Sequence, residues 1–355
     1  IQPFATKSNS HDLRTFAGVK PGDQLRIDEV TSPPPRIDIT LSLPVEANAT
    51  SYDVFTSCSG RTSLGAAGGS GGEPGGTVTL AGCNGFADVL VQTFDGNGQP
   101  ISWFYHPDVA VTDQQAITLT DPYVTTATDV TMMFTNVPAA YSGVAFDNTL
   151  VSPRGPVVRS NLATTTAAGT ASVMFSRPPI AGAISVTAIH PTPTNTIGSH
   201  ILVEWGAQTV ASFDLAGALL PLYATPPTFA IATHAVSWTS GSGAAPDFVV
   251  AEVYAERFTD PPNAAWRWRI VAPYATTVAL PVLPAAVAEY NMVAGDGPLP
   301  DGPSVDVLTT AKVPGGYDAV RARLQSLRTP TDLEGLVTGA TGRIVYEMLE
   351  SQMPL

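Results

Sequence analysis

The amino-acid sequence predicts an all-β protein built from three tandem β-sandwiches, and three observations support this fold class. Charged residues make up only 13% of the 355 residues, while Gly (31) and Pro (32) are abundant, as is typical of short strands joined by turns. Short segments of alternating apolar and polar residues are separated by turn-forming residues. Several of these segments also recur, in the same order, roughly 93 to 100 residues later.

The repeat relates five pairs of strand-like segments. The first copy contains 36–43, 50–58, 76–83, 86–94 and 101–105, and the second contains 129–137, 142–150, 169–176, 182–190 and 201–205. A third set follows at 233–239, 248–256, 266–271, 276–283, 288–294 and 304–313. Short strands in units of about 100 residues are typical of β-sandwiches, so the sequence predicts domains at 1–120, 121–222 and 223–328.

The remaining residues, 329–355, are predicted to form a short C-terminal tail. Thr331 and Glu334 have the spacing of a helix capping box. The segment 342–349 (GRIVYEML) fits an amphipathic helix, but it fits a strand equally well. At the second domain boundary, Pro226 and Pro227 remove backbone donors and stiffen the joint, which predicts a semi-rigid rod rather than freely jointed domains.

The third unit resembles a fibronectin type III domain. The resemblance rests on Trp238 in its second strand, Tyr254 in its third, and Leu283-Pro284 followed by Tyr290. The first two units resemble the broader immunoglobulin-like class. The resemblance thus implies three tandem immunoglobulin-like β-sandwiches, and in such families the fold implies binding, spacing or adhesion.

The two cysteines, Cys58 and Cys83, are either a pair of reduced thiols or a disulfide, depending on the compartment. The composition of an exported β-protein favours the disulfide, whose Cα atoms must then lie within about 7 Å. Ile1 is not a start methionine and the sequence contains no signal peptide, so we expect a trimmed, exported chain with an extracellular or cell-surface location. Arginine outnumbers lysine, as in proteins of GC-rich bacterial genomes.

The charge distribution and the motifs exclude several classes of function. A formal net charge of −13 argues against nucleic-acid binding, which needs clustered Lys and Arg, and no apolar run approaches a transmembrane length. Asp95-Gly96 and Asp296-Gly297 are predicted as turns, with weak Ca²⁺ binding as the alternative. His190 and His200 flank one loop, which is either a plain surface loop or part of a metal site. We expect no catalytic residues, no metal and no cofactor.

The most specific expectation concerns the strands 248–256 and 266–271. Period-two alternation places Trp266 and Trp268 in the core and Arg267 and Arg269 on the outer face together with Tyr254. A hairpin around Pro261 would pair Tyr254 with Arg269. This outer face is either solvated or a binding patch of Tyr254, Arg267 and Arg269.

The sequence therefore predicts a non-catalytic secreted or surface protein that acts as a spacer, an adhesive or a protein-binding array. The alternative is a carbohydrate-binding or accessory module of an extracellular polysaccharide system. Its ligand would be an unknown protein or glycan. Coplanar exposed aromatic side chains on one sheet face would favour the glycan reading, whereas flat faces with buried Trp side chains would favour the protein reading.

Overall fold

The computed structural model describes residues 4–5, 10–21, 35–65, 73–165, 169–178, 180, 182–194, 199–206, 211–257, 264–297, 302–321 and 342–350. Within these ranges the chain is all-β, with 23 strands, one short α-helix (α1, Gly316–Arg321) and a 3-10 turn at Ala285–Tyr290. Neither helical segment has the length or the apolar composition to cross a bilayer. The strands form three two-sheet units, which are called units 1, 2 and 3 below.

Unit 1 is a sandwich of a three-stranded and a four-stranded sheet. Its strands are β3 (Arg36–Ser42), β4 (Ser51–Thr56), β5 (Gly60–Gly65), β6 (Gly75–Ala81), β7 (Phe86–Phe94), β8 (Pro100–Ala110) and β9 (Gln115–Thr118). The sheet orders are β6-β3-β9 and β5-β4-β7-β8. Alternate residues of both sheets, such as Ile39, Val54, Val78 and Val89, meet in one buried core.

Unit 2 repeats the topology of unit 1. Its strands are β10 (Thr128–Thr135), β11 (Tyr141–Ser152), β12 (Gly155–Thr165), β13 (Ala171–Arg177), β14 (Ile184–Pro193), β15 (Ser199–Gly206) and β16 (Ala211–Asp214). The sheet orders are β13-β10-β16 and β15-β14-β11-β12. Each of the five segment pairs found in the sequence falls on a strand pair with equivalent neighbours, from β3 and β10 to β8 and β15. The repeat in the sequence therefore corresponds to a repeat in topology.

Unit 3 is also a sandwich of two sheets, but the last strand of its four-stranded sheet also pairs with unit 2. Its strands are β17 (Tyr223–Ala230), β18 (Ala235–Ser240), β19 (Phe248–Arg257), β20 (Ala264–Pro273), β21 (Thr277–Ala279), β22 (Ser304–Lys312) and β23 (Gly342–Glu350). The sheet β17-β18-β21 packs on β20-β19-β22-β23. Trp238, Trp266 and Trp268 are all buried in the shared core.

The tail strand β23 joins units 2 and 3 into one sheet. It pairs antiparallel with β22 of unit 3, from Val307↔Glu350 to Lys312↔Val345, and with β15 of unit 2, from Ser199↔Met348 to Trp205↔Gly342. Of the two alternatives for 342–349, the structure thus has the strand, whereas Thr331 and Glu334 lie outside the described residues.

The N-terminal strands extend the same sheet at its other end. The strand β2 (Ser10–Phe16) pairs in parallel with β20, and β1 (Phe4–Ala5) pairs with β2. The result is a ten-stranded sheet in the order β1-β2-β20-β19-β22-β23-β15-β14-β11-β12. Both ends of the described chain therefore lie in one sheet.

The two faces of this sheet bury different groups. Val345 packs in the core of unit 2, and Glu347, two residues later on the same face, bonds to Tyr223 of unit 3. Alternate residues of a strand share a face. The three-stranded sheets of units 2 and 3 therefore cover the same face of the ten-stranded sheet. The opposite face carries Ile344 and Tyr346 in a second apolar cluster, against which Val320 of α1 packs.

Units 1 and 2 meet through side chains. The hairpin formed by β11 and β12 lies on the outer face of the four-stranded sheet of unit 1. Leu150 and Val157 of the hairpin pack against Phe55 and Leu90 of unit 1 in a small buried cluster. Gly155 sits so close to this sheet that an added Cβ would lie 2.4 Å from the carbonyl oxygen of Ser57.

Cys58 and Cys83 form a disulfide across unit 1, with their Cα atoms 5.4 Å apart. Cys58 follows β4 and Cys83 follows β6, so the bond links the two sheets of the sandwich. Both side chains pack against the core of unit 1. A covalent tie of this kind stabilises mainly by constraining the unfolded chain.

Candidate functional site

The predicted patch lies on the outer face of the ten-stranded sheet. Trp266 and Trp268 are 1% and 0% exposed, while Arg267 and Arg269 project from the opposite face together with Tyr254. The assignment of residues to the two faces of β20 is therefore as the period-two pattern predicts.

The expected pairing of the two strands is wrong by one two-residue step. Tyr254 lies opposite Arg267, and Glu252 lies opposite Arg269, rather than Tyr254 opposite Arg269. A shift of two residues leaves every side chain on its original face, so the apolar pattern cannot distinguish the two registers. The turn that decides between them, 258–263, lies outside the described residues.

The charged side chains of this face form a network around Glu252, which is 4% exposed. The Arg269 Nε donates to Glu252 Oε2 at 2.9 Å, and Arg267 lies 3.5 Å from the other carboxylate oxygen. Arg267 also lies 3.2 Å from Asp306 and stacks over the Tyr254 ring at 5.7 Å. Both arginines are thus held by groups of this chain.

The Tyr254 hydroxyl donates to Glu256. Burial, followed by the hydrogen bond to Glu256, raises the pKa of Tyr254 to about 12. The carboxylates Glu252, Glu256 and Asp306 are matched in number by Arg267, Arg269 and Arg14, which lies beside Arg269 on β2. Of the two arginines of the predicted patch, the half-exposed Arg267 is the more accessible.

A second candidate site, which the sequence did not reveal, is a pocket of about 320 Å³ between units 1 and 2. Trp103 and Tyr105, two residues apart on one face of β8, line it together with Asp121 and Val124 of the segment between the units, and Ile180 of unit 2. Backbone hydrogen bonds of 3.0 and 2.8 Å between Trp103 and Val124 hold that segment against β8.

Polar contacts fix the walls of this pocket. The indole Nε1 of Trp103 donates to the carbonyl oxygen of Thr126 at 2.6 Å. The Tyr105 hydroxyl donates to Asp88 at 2.9 Å, and His106 Nδ1 lies 2.7 Å from Asp121 Oδ2. Burial and the hydrogen bond to Asp88 raise the pKa of Tyr105 to about 12, so its hydroxyl stays protonated at neutral pH.

A buried carboxyl group lies where units 2 and 3 meet. Glu347 is 0% exposed and accepts a 2.6 Å hydrogen bond from the Tyr223 backbone N–H. Its Oε2 has no hydrogen-bond partner among the described residues. Burial raises the pKa of Glu347 to about 8, and a carboxyl group in such a site is held protonated at neutral pH.

The candidate cation sites have structural partners. Asp95 Oδ1 accepts backbone hydrogen bonds from Asn97 and Gln99 at 2.9 and 2.8 Å, as in an Asx turn. Asp296 is bound by Arg257 at 2.6 Å. His190 lies 3.4 Å from Asp147, and the side chain of His200 lies outside the described residues. The described part of the chain holds no cluster of three potential metal ligands.

Comparison with known proteins adds little to this geometry. No family model and no curated protein matches the chain. Among solved structures, the chain is similar to a protein described as a "putative adhesin" from Bacteroides ovatus, with a TM-score of 0.20 and 10% sequence identity. The match covers 47% of this chain and 82% of the other. A similarity of this size carries no argument about function.

Proposed function

We propose that the chain is a non-catalytic extracellular or cell-surface protein that acts as a rigid spacer and adhesive, presenting faces to another protein. The observation that carries this proposal is the sheet shared by units 2 and 3. A joint made of backbone hydrogen bonds on both edges of β23 resists bending far better than a linker does. Such a joint holds two binding faces at a fixed separation.

The compartment is part of this proposal. The Cys58–Cys83 disulfide supports an oxidising location, because reducing compartments keep thiols free. It closes a ring in unit 1, the sandwich that meets unit 2 through a packed contact rather than a shared sheet. An extracellular spacer gains from such a covalent tie.

The contact surface in this proposal is the charged outer face of unit 3. The buried carboxylate of Glu252 forms ion pairs with both Arg269 and Arg267, and Arg267 is thereby held over the ring of Tyr254. A preorganised Arg beside an aromatic ring is a common centre of protein–protein contacts. Tyr254, Arg267 and Arg269 are therefore the residues to test for binding.

Carbohydrate binding remains the second candidate function, and one observation favours it. Trp103 and Tyr105 lie on the same face of β8 at the rim of a pocket that also carries Asp121. An aromatic ring next to a carboxylate can stack on a sugar ring and accept its hydroxyl groups. The buried positions of Trp238, Trp266 and Trp268 instead support the protein-binding reading.

We also infer that unit 3 is fibronectin type III-like. Its first, second and fifth strands (β17, β18 and β21) form one sheet, and its third, fourth, sixth and seventh strands (β19, β20, β22 and β23) belong to the other. Trp238 lies in the core between the sheets, and Tyr290 packs against that core. Both observations support the inference. An experimental structure of the chain with a different strand order in unit 3 would contradict it.

Adhesion of coated beads tests the proposed function. Beads carrying the whole chain should adhere to surfaces coated with host or bacterial envelope proteins, and Arg267→Ala should lower retention several-fold. Arg36→Ala, which removes an exposed arginine of unit 1, is the matched control and should leave retention unchanged.

Two results would contradict the proposal. Retention only on glycan-coated surfaces would favour the carbohydrate-binding reading. Turnover of any member of a panel of esters, glycosides and peptides by the purified chain, abolished by a single substitution, would show an enzyme.

A further inference from the structure

The pocket between units 1 and 2 combines aromatic and acidic side chains. Its wall is aromatic, formed by Trp103 and Tyr105, and its rim carries Asp121. Only one carboxylate oxygen of Asp121 is engaged by His106, and the other has no hydrogen-bond partner among the described residues. The pocket thus offers an acceptor beside aromatic side chains.

The charges around the pocket favour a cation. Asp121 lies in the pocket, and Asp88 and Asp108 lie near Tyr105, where Arg154 is their shared basic partner. Asp121 thus lines the pocket, and two further carboxylates next to Tyr105 share one guanidinium. Because the whole chain carries a net charge of −13, the long-range field reinforces this local excess and attracts basic partners.

This chain already uses aromatic rings to hold its own cations. Arg154 lies over Phe86 at 5.0 Å, and Arg257 lies over Trp266 at 4.9 Å. Arg257 is at the same time bound to the carboxylate of Asp296. A cation held between a carboxylate and an aromatic ring thus occurs already in this fold, and no cationic side chain is among the described residues that line the pocket.

We propose that this pocket takes the cationic side chain, lysine or arginine, of a segment of a partner protein. The cation binds Asp121 Oδ1 and its apolar stem packs against Trp103 and Ile180. A volume of about 320 Å³ is at the small end of ligand pockets, which suits one side chain rather than a folded element. The inference rests on the proposed protein-binding function and names the chemistry of the partner.

The test uses the whole chain and short peptides. The probes are acetyl-Gly-Lys-Gly-amide, its arginine analogue and its norleucine analogue, which keeps the stem but lacks the charge. Binding is followed by the NMR signal of the Trp103 indole N–H, assigned with Trp103→Phe. We expect the lysine and arginine peptides to shift this signal with saturation in the millimolar range, and the norleucine peptide to bind at least tenfold more weakly.

Two variants locate the site. Asp121→Asn keeps an oxygen for His106 but removes the negative charge. It should lower the affinity for the lysine peptide at least tenfold. Glu289→Gln, which removes an exposed carboxylate of unit 3, is the matched control and should leave the affinity unchanged. The unfolding temperature of each variant shows whether it is folded.

Several outcomes would overturn the inference. These are equal binding of the norleucine and lysine peptides, unchanged affinity in folded Asp121→Asn, or a shift of the Trp103 signal by neutral oligosaccharides but not by the lysine peptide. Bead adhesion that persists in Asp121→Asn while the peptides fail to bind would refute the pocket and leave the proposed function standing. Peptide binding in a chain that shows no adhesion would support the pocket and refute the adhesive function.

Discussion

The two junctions of this molecule are built in different ways. Units 2 and 3 share a ladder of backbone hydrogen bonds, because β23 is a central strand with β22 on one side and β15 on the other. Units 1 and 2 touch through a hairpin whose Leu150 and Val157 pack on Phe55 and Leu90, with Arg154 reaching Asp108 at the rim. One junction is a continuous sheet, and the other is a contact between surfaces.

This difference shows how a tandem β-protein can fix one joint and leave another adjustable. A ladder is specified residue by residue and cannot slide without losing all its hydrogen bonds. A packed contact depends on a few apolar side chains and can be weakened by one clash. The pocket proposed to bind a cation lies at the packed contact, where a partner can influence the angle between the units.

The largest expected effect comes from removing the central strand. Truncation after Arg321 deletes β23 with the buried side chains of Ile344, Val345 and Tyr346. Since each large buried side chain contributes about 2–5 kcal/mol, units 2 and 3 should lose most of their stability. Unit 1, whose core and disulfide contain no residue of β23, should keep a separate unfolding transition.

Calorimetry checks this expectation. The full chain should show units 2 and 3 unfolding together, and the truncated chain should retain only the transition of unit 1. Val282→Ala, at a side chain that is 77% exposed, is the control and should change the profile by less than about 0.5 kcal/mol. Unchanged unfolding of the truncated chain would show that β23 does not hold the two units.

A smaller effect is expected at the packed junction. Gly155 has a positive φ of 144° and its added Cβ would lie 2.4 Å from Ser57 O, so Gly155→Ala should push the hairpin away from unit 1. We expect a loss of about 2 kcal/mol, the size of a local strain at one residue, measured by denaturant unfolding.

Gly182→Ala is the matched control for this substitution. Gly182 also has a positive φ, 76°, but nothing lies within 4 Å of its added Cβ. Gly182→Ala should therefore introduce the backbone strain without the steric clash and lower the free energy of unfolding by about 1 kcal/mol. Equal losses in the two variants would mean that the contact at Gly155 does not matter.

A further effect, expressed as a slope against pH, is expected at the shared sheet. The folded pKa of Glu347 is about 8 against 4.5 in the unfolded chain, so the folded state holds a proton that the unfolded state releases above pH 4.5. The free energy of unfolding should fall from pH 4.5 to 8 by up to about 1.4 kcal/mol per pH unit and level off above pH 8.

Glu347→Gln isolates this contribution. The amide oxygen still accepts the hydrogen bond of Tyr223, but the side chain no longer ionises. The variant should therefore be more stable than the parent at pH 8 and equal to it near pH 4.5, as measured by urea unfolding across that range. A constant difference between the two proteins at all pH values would contradict the assignment.

The sequence predicted what depends on local pattern. The faces of β19 and β20 follow from alternation, so Trp266 and Trp268 are buried as expected. The repeat predicted that the strands of units 1 and 2 are equivalent, and the paired segments do fall on strands with equivalent neighbours. The domain boundaries themselves stay a prediction.

What the sequence could not predict depends on distant partners. The strand β23 pairs with β15, about 145 residues earlier in the chain. The amino-acid composition of β23 does not indicate which strand it pairs with. The pairing of Tyr254 was missed because two registers satisfy the same pattern. The pocket escaped notice because Trp103, Asp121 and Ile180 come from three elements and form no motif.

Distances between spin labels test the central claim most directly. Single cysteines carrying labels would replace Val45 in unit 1, Met174 in unit 2 and Val282 in unit 3, whose side chains are 70%, 68% and 77% exposed. In the full chain the distance from 174 to 282 should have a narrow distribution, which broadens when β23 is removed and stays narrow in Gly155→Ala. The distance from 45 to 174 should instead broaden in Gly155→Ala. A distribution from 174 to 282 that is broad in the full chain, or unchanged without β23, would contradict the account.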